Sequence, residues 1–169
     1  MSDKQFHIAP ERPEDAAAIE KLHEFAFGPG RFARTAYRMR EGVEAIASLS
    51  HAAWTHDALI GSIRFSPVAI EDRAGLMLGP LVIDPAWKGR GVGLKLMQIG
   101  LEAATSERHG WVILVGDEPY YARAGFSRVA EGRIRLPGPV DPARLLALAL
   151  NAGALDGLAG VVRPVKNGA

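Results

Sequence analysis

Leu81-Val82-Ile83-Asp84-Pro85-Ala86-Trp87-Lys88-Gly89-Arg90-Gly91-Val92-Gly93 is the stretch on which the reading of this chain turns. An apolar run from Leu76 to Ile83 ends at Asp-Pro, and three glycines in five positions precede a stripe of Leu94, Met97, Leu101 and Ala104. That spacing marks one face of a helix, expected from Gly91 to about Arg108. The first amides of a helix lack intrahelical partners and carry partial positive charge, and glycine lets an anion come close to them. Lys88, Arg90 and Lys95 add three cations, which suits a polyphosphate better than a single carboxylate. Two nucleotide loops do not fit the spacing. The Gly-Lys-Ser/Thr ending of a triphosphate loop is absent, and Leu94 or Leu96 stands where a dinucleotide loop has its third glycine.

Upstream, Phe6 to Ala9 reads as a short strand, and Pro13-Glu14-Asp15 opens a helix with Ile19, Leu22 and Ala26 on one face. Gly28-Pro29-Gly30 stops it, and a second amphipathic helix is expected from about Arg31 to Glu41. Leu49–Thr55 and Leu59–Val68 form a hairpin around His56-Asp57-Ala58. Leu76–Ile83 is apolar enough for a strand buried on both faces, but Gly79-Pro80 interrupts it, so a bulge or break in the ladder is expected there. Downstream come a buried strand at Trp111–Val115, a short helix from Glu118 to Ala124, a turn at Gly125-Phe126, and weak strands near Ser127–Val129 and Ile134–Leu136. After the linker Pro137-Gly138-Pro139, a helix is expected from about Ala143 to Leu150 and a strand at Val161–Val165.

The bulk properties narrow the function by exclusion. With 169 residues, 48% of them hydrophobic, the chain fits one domain spanning 1–169. Lys+Arg 20 against Asp+Glu 19 gives a formal net charge of +1, which favours neither nucleic acid nor an anionic membrane as partner. The lack of cysteine removes disulfides, thiolate zinc sites and a cysteine nucleophile. His51 and His56, five apart on extended chain, are a poor ligand pair, so no metal is expected. Met1–Pro10 has no apolar core with a cleavage site. Leu145–Val162 is broken by Asn151, Gly153, Asp156, Gly157 and Gly160, short of the ~20 apolar residues of a span. A cytoplasmic location is the resulting expectation.

The stretch 81–93 resembles the pyrophosphate motif of the GNAT superfamily of N-acetyltransferases, with Lys88 where Gln or Arg is usual. Tyr121-Ala122-Arg123-Ala124-Gly125-Phe126 resembles that family's Tyr-x-x-x-Gly-Phe segment, and Gly116 to Phe126 resembles the longer Gly-Asp-x-x-Tyr-Tyr-x-x-x-Gly-Phe pattern of a bacterial subgroup. Arg12-Pro13-Glu14-Asp15 looks like the family's usual opening, so the resemblance covers roughly Phe6 to Val129, with 137–169 as a C-terminal extension. It implies an α/β (α+β) fold: a mixed, mostly antiparallel central sheet of six to seven strands, helices on both faces, and strands four and five splayed apart.

The resemblance also implies a chemistry. Acetyl-CoA would be co-substrate, held by Leu81, Val82, Ile83, Lys88, Gly89, Arg90, Gly91, Val92, Gly93, Leu94, Lys95 and Tyr121. The acetyl group would pass to an amine by direct attack in a ternary complex, with Tyr121 as the general acid that protonates the departing thiolate; Tyr120 would pack into the core. Many members place a glutamate on strand four, but Leu76, Met77, Leu78 and Leu81 offer no carboxylate; Asp117 or Glu118 is the candidate base, and His51, His109 and Glu71 qualify by type alone. Asp117 as a helix cap is the competing reading. The acceptor, a small-molecule or peptide amine, would lie against the first two helices, where Phe27, Arg31, Phe32, Arg34 and Tyr37 occur; a solvated basic face over an aromatic core explains the same residues. A non-catalytic acyl-CoA sensor using the same loop is the nearest alternative function, and the apolar tail suits either the chain's own sheet or a homodimer.

Overall fold

The computed structural model describes residues 5–166, apart from the side chain of Phe32. In chain order it contains β1 (His7–Pro10), α1 (Ala16–Phe27), the one-turn α2 (Thr35–Arg38), β2 (His51–Thr55), β3 (Ala58–Ile70) and β4 (Arg73–Ile83). Then follow α3 (Val92–Ser106), β5 (Trp111–Val115), α4 (Glu118–Tyr121), β6 (Ser127–Arg128), β7 (Ile134–Arg135), β8 (Leu145–Ala149) and β9 (Gly160–Pro164). The main sheet runs β1-β2-β3-β4-β5-β8-β6, and every pair along it is antiparallel except β4–β5. β9 continues from the far end of β3 and carries β7, so two short strands join the seven of the main path.

The apolar runs of β4, β5 and β8 are nearly continuous because they bury both faces. Leu76, Leu78, Val112, Leu114 and Leu146 meet Leu96, Met97, Leu101 and Ala104 of α3 on one side. Met77, Trp111, Ile113, Leu145 and Ala147 meet Met39, Ile134, Leu136, Leu158 and Val162 on the other. α3 lies close to the sheet: a β-carbon on Gly100 would overlap the Phe65 ring.

Two expectations are corrected. The segment 143–150 is not a helix: a 3-10 turn at Pro142–Arg144 leads into β8. Its run Leu145-Leu146-Ala147-Leu148 alternates between the two cores, and an apolar segment buried on both faces has no helix-or-strand period to read. The continuous second helix is also absent. Pro29–Ala33 is 3-10, Arg34 is extended at φ −71°, ψ 139°, and only Thr35–Arg38 is α-helical. The Thr35 hydroxyl donates to the Pro139 carbonyl at 2.8 Å, so a contact with the distant tail holds this turn in place.

The strand break falls at Gly79-Pro80. Phe65 pairs with Leu78 and Ile63 with Leu81, so Arg64 on β3 faces two residues of β4, a bulge. β4 and β5 pair only at Leu76–Val112 and Met77–Ile113. Beyond Met77 the two parallel strands diverge, while β5 stays paired along its other edge with β8 from Trp111 to Val115.

Candidate active site

The divergence of β4 and β5 opens a cleft of about 970 Å3. Its floor at one end is the glycine loop. Asp84 accepts from the Ala86 amide at 2.9 Å and caps the 3-10 turn Pro85–Trp87, which delivers the chain to Lys88. Gly89 and Gly91 have φ of +74° and +81°, conformations that side chains resist. Gly91 is the N-cap of α3, and no side chain caps it. The first intrahelical bond runs from the Lys95 amide to the Gly91 carbonyl at 3.0 Å, so the amides of Val92, Gly93 and Leu94 fall ahead of the ladder.

The cleft wall beside this loop is the unpaired edge of β4, with Leu81, Val82 and Ile83 lining it. Tyr120 and Tyr121 close the opposite side from α4, their rings 5.0 Å apart and perpendicular. The Tyr120 hydroxyl sits over Gly93, where a β-carbon would overlap it. The Tyr121 ring lies against Gly116, with a similar overlap for any larger residue. Burial pushes the Tyr121 phenol up to about 12, with Tyr120 and Asp117 adding to the effect. It therefore stays a proton donor throughout the neutral range.

Of the residues expected to hold the donor, Leu81, Val82, Ile83, Lys88, Gly89, Gly91, Val92, Gly93, Leu94 and Tyr121 line this cleft. Arg90 and Lys95 lie outside its lining, and the Arg90 guanidinium instead stands over the Trp87 ring at 5.2 Å. Asp117 lines the rim and is the N-cap residue of α4, but its side chain makes no capping bond; it stands 3.6 Å from Arg144. Glu118 is outside the lining and pairs with Arg128 at 3.0 Å. His51, with Nδ1 2.9 Å from the Leu49 carbonyl, and His109 and Glu71 also lie away from the cleft lining.

At the other end, Phe27, Arg34, Tyr37 and Arg40 line the cleft from the α1–α2 side, facing Pro139, Val140, Asp141 and Arg144 of the tail. Arg31 lies elsewhere: it is buried, donating to Glu20 at 2.9 Å and to the Gly28 carbonyl at 2.7 Å. The Phe32 side chain falls outside the described residues. Arg40 was not singled out by sequence reasoning, because nothing local distinguishes it from its neighbours Arg31, Arg34 and Arg38. Its Nη2 would lie 2.7 Å from a β-carbon on Gly79, at the splay itself. No group of three or more metal-binding side chains occurs among the described residues. Nor is any helix among them long and apolar enough to cross a membrane.

Comparison with known proteins agrees with this fold. The family model described as acetyltransferase (GNAT) domain matches residues 21–135. The uncharacterized N-acetyltransferase YhbS of Escherichia coli K12 is 28% identical over 158 residues, covering 92% of this chain and 93% of that protein. A second, YjhQ from the same organism, is 30% identical over 129 residues, 74% of this chain and 70% of that protein. The crystal structure of Escherichia coli YhbS in complex with CoA superposes with a TM-score of 0.83 at 25% identity, covering 98% of this chain and 92% of that one. A GNAT family acetyltransferase from Brucella melitensis in complex with acetyl-CoA gives 0.63 at 32% identity, covering 90% and 99%. The chain is a member of the GNAT acetyltransferase family.

Proposed function

We propose that this chain transfers the acetyl group of acetyl-CoA to an amine by direct attack in a ternary complex. The observation that carries the reading is the continuity of one cleft: the uncapped start of α3, the unpaired edge of β4 at Leu81–Ile83, and Tyr121 all open into it. The glycine loop takes the diphosphate on main-chain amides. The free β4 edge takes the amides of the pantetheine arm as a further strand would, leaving the thioester near the splay and an amide positioned for the developing oxyanion.

The amine nitrogen bonds to the carbonyl carbon, the carbon–sulfur bond breaks, and the thiolate takes the phenolic proton of Tyr121. The proton lost by the amine goes to solvent or to Asp117, the carboxylate at the rim beside Tyr121, and the Tyr121 phenolate takes a proton back from solvent to close the cycle. Without cysteine, the chain has no thiol to form an acyl-enzyme.

The test is release of free thiol from acetyl-CoA across amines, amino acids, peptides and polyamines. Amine-dependent release is expected. A protein that binds CoA yet releases no thiol with any acceptor is a sensor, and the catalytic reading fails. Gly93→Val, which drives a side chain into the Tyr120 hydroxyl at the loop, is expected to abolish CoA binding by calorimetry while the fold, read by circular dichroism, persists.

A further inference from the structure

We infer that the acceptor amine carries a carboxylate, and that Arg40 binds it at the splay of β4 and β5. The inference rests on the acetyltransferase reading above and names its substrate class. Arg40 lines the cleft, and its guanidinium stands over Gly79, just before the β4 edge assigned to the donor. A carboxylate there places its amine on the acceptor side of the thioester.

Arg34, on the same side of the cleft, is exposed to solvent, whereas Arg64 and Arg31 are neutralised by carboxylates. Arg64 is clamped by Glu11, with contacts of 2.7 to 3.2 Å, and Arg31 by Glu20. Arg40 forms no ion pair among the described residues; its Nε is buried without a hydrogen-bond partner, and its guanidinium carbon lies 5.2 Å from the centre of the Tyr37 ring. The carboxylates that line the cleft are engaged elsewhere: Asp117 stands by Arg144, and Asp141 accepts from the Ala143 amide at 2.9 Å. Arg40 is partly buried, and the cost of holding a cation away from water without an anion falls when a ligand supplies one. A guanidinium fork matches a carboxylate in geometry as well as charge, and stacking on Tyr37 leaves its edge free to donate.

Burial, the largest influence, lowers the Arg40 group to about 10, still charged at neutral pH. Gly79 is part of the device. Its φ of +130° and the absent β-carbon let the guanidinium lie against the strand.

The experiment compares amino acids with their carboxamides as acceptors, on the full-length protein and on Arg40→Gln and Arg40→Lys, with CoA affinity measured in each as the control for folding. The expected result is a preference for the acid of roughly ten- to hundredfold in kcat/KM, the worth of one charge-assisted hydrogen-bonded pair. Arg40→Gln should erase that preference by raising the acceptor KM, Arg40→Lys should restore part of it, and CoA affinity should not change. Equal use of acid and amide overturns the inference and leaves the acetyltransferase reading standing. So does an Arg40→Gln that slows both acceptors alike, which would assign the guanidinium to the thioester. CoA binding without thiol release from any acceptor overturns both.

Discussion

Tyr121 and His23 show how burial sets the chemistry of single groups here. The Tyr121 phenol, raised to about 12, is protonated wherever the protein is folded and active, so its availability as an acid does not limit the reaction at neutral pH. Tyr121→Phe is expected to lower kcat by about 10²- to 10⁴-fold with CoA affinity intact, measured by thiol release and calorimetry. An unchanged kcat would remove Tyr121 from the proton path. His23 on α1 is buried, its Nε2 without a hydrogen-bond partner. Burial, reinforced by Arg64, Arg40 and Arg31 and opposed by Glu20, holds the imidazole down at about 4. Because the folded value lies below the unfolded value of about 6.5, the unfolded chain takes up the proton first as pH falls. The stability due to neutral His23 is therefore complete above about pH 6.5 and is lost progressively down to about pH 4. The loss is on the order of 3 kcal/mol. Urea unfolding of wild type and His23→Gln at pH 7 and 4.5 measures it: the variant should show the shallower acid dependence, and equal slopes would refute the account. Asp15, held low by Arg12, titrates in both proteins and cancels from the difference, whereas Glu20, 3.7 Å from His23 and lowered by Arg31 and by His23, is coupled to it and its change belongs to the measured difference.

α3 joins the site to the core. Its N-terminus faces the cleft, while eight residues later Gly100 lets the helix settle onto Phe65. Gly100→Val is expected to destabilise the fold by about 1–3 kcal/mol through overpacking, seen as a lower Tm, and to weaken CoA binding only as far as the helix start shifts. This helix, its loop and β5 were legible in the sequence because their signals are local: a heptad-like stripe, glycines before it, a five-residue apolar strand after it. The two-faced strand β8 was not, since Leu145, Leu146, Ala147 and Leu148 are apolar for both cores and leave no period to distinguish strand from helix. The α2 segment failed for a different reason: its first residue, Thr35, is held by bonding Pro139, 104 residues away. Arg40 was missed in the same way. Its place in the cleft is set by the β4 bulge beside it, a tertiary fact.

At the scale of the whole molecule, the tail is part of the framework. β8 lies between β5 and β6, bonding β5 along Val115–Leu145 to Trp111–Ala149, and β6 has no other partner among the described strands. β9 meets the end of β3 and brings Val162 and Leu158 over the second core. Pro139, Val140, Asp141 and Arg144 then wall the cleft opposite Arg34, Tyr37 and Arg40. Since one segment completes the sheet, covers the core and walls one end of the cleft, fold and site should be lost together when it is weakened. Leu146, fully buried in β8 against the α3 side, is the place to test this. Leu146→Ala is expected to cost about 2–5 kcal/mol in chemical unfolding. Saturating CoA should recover part of that, about 2.7 kcal/mol at a hundredfold excess over Kd, because ligand binds only the folded chain. A chain ending at Val140 should show neither a cooperative transition nor CoA-dependent stabilisation. If that truncated chain unfolds cooperatively and still binds CoA, the tail is an appendage to a self-sufficient core.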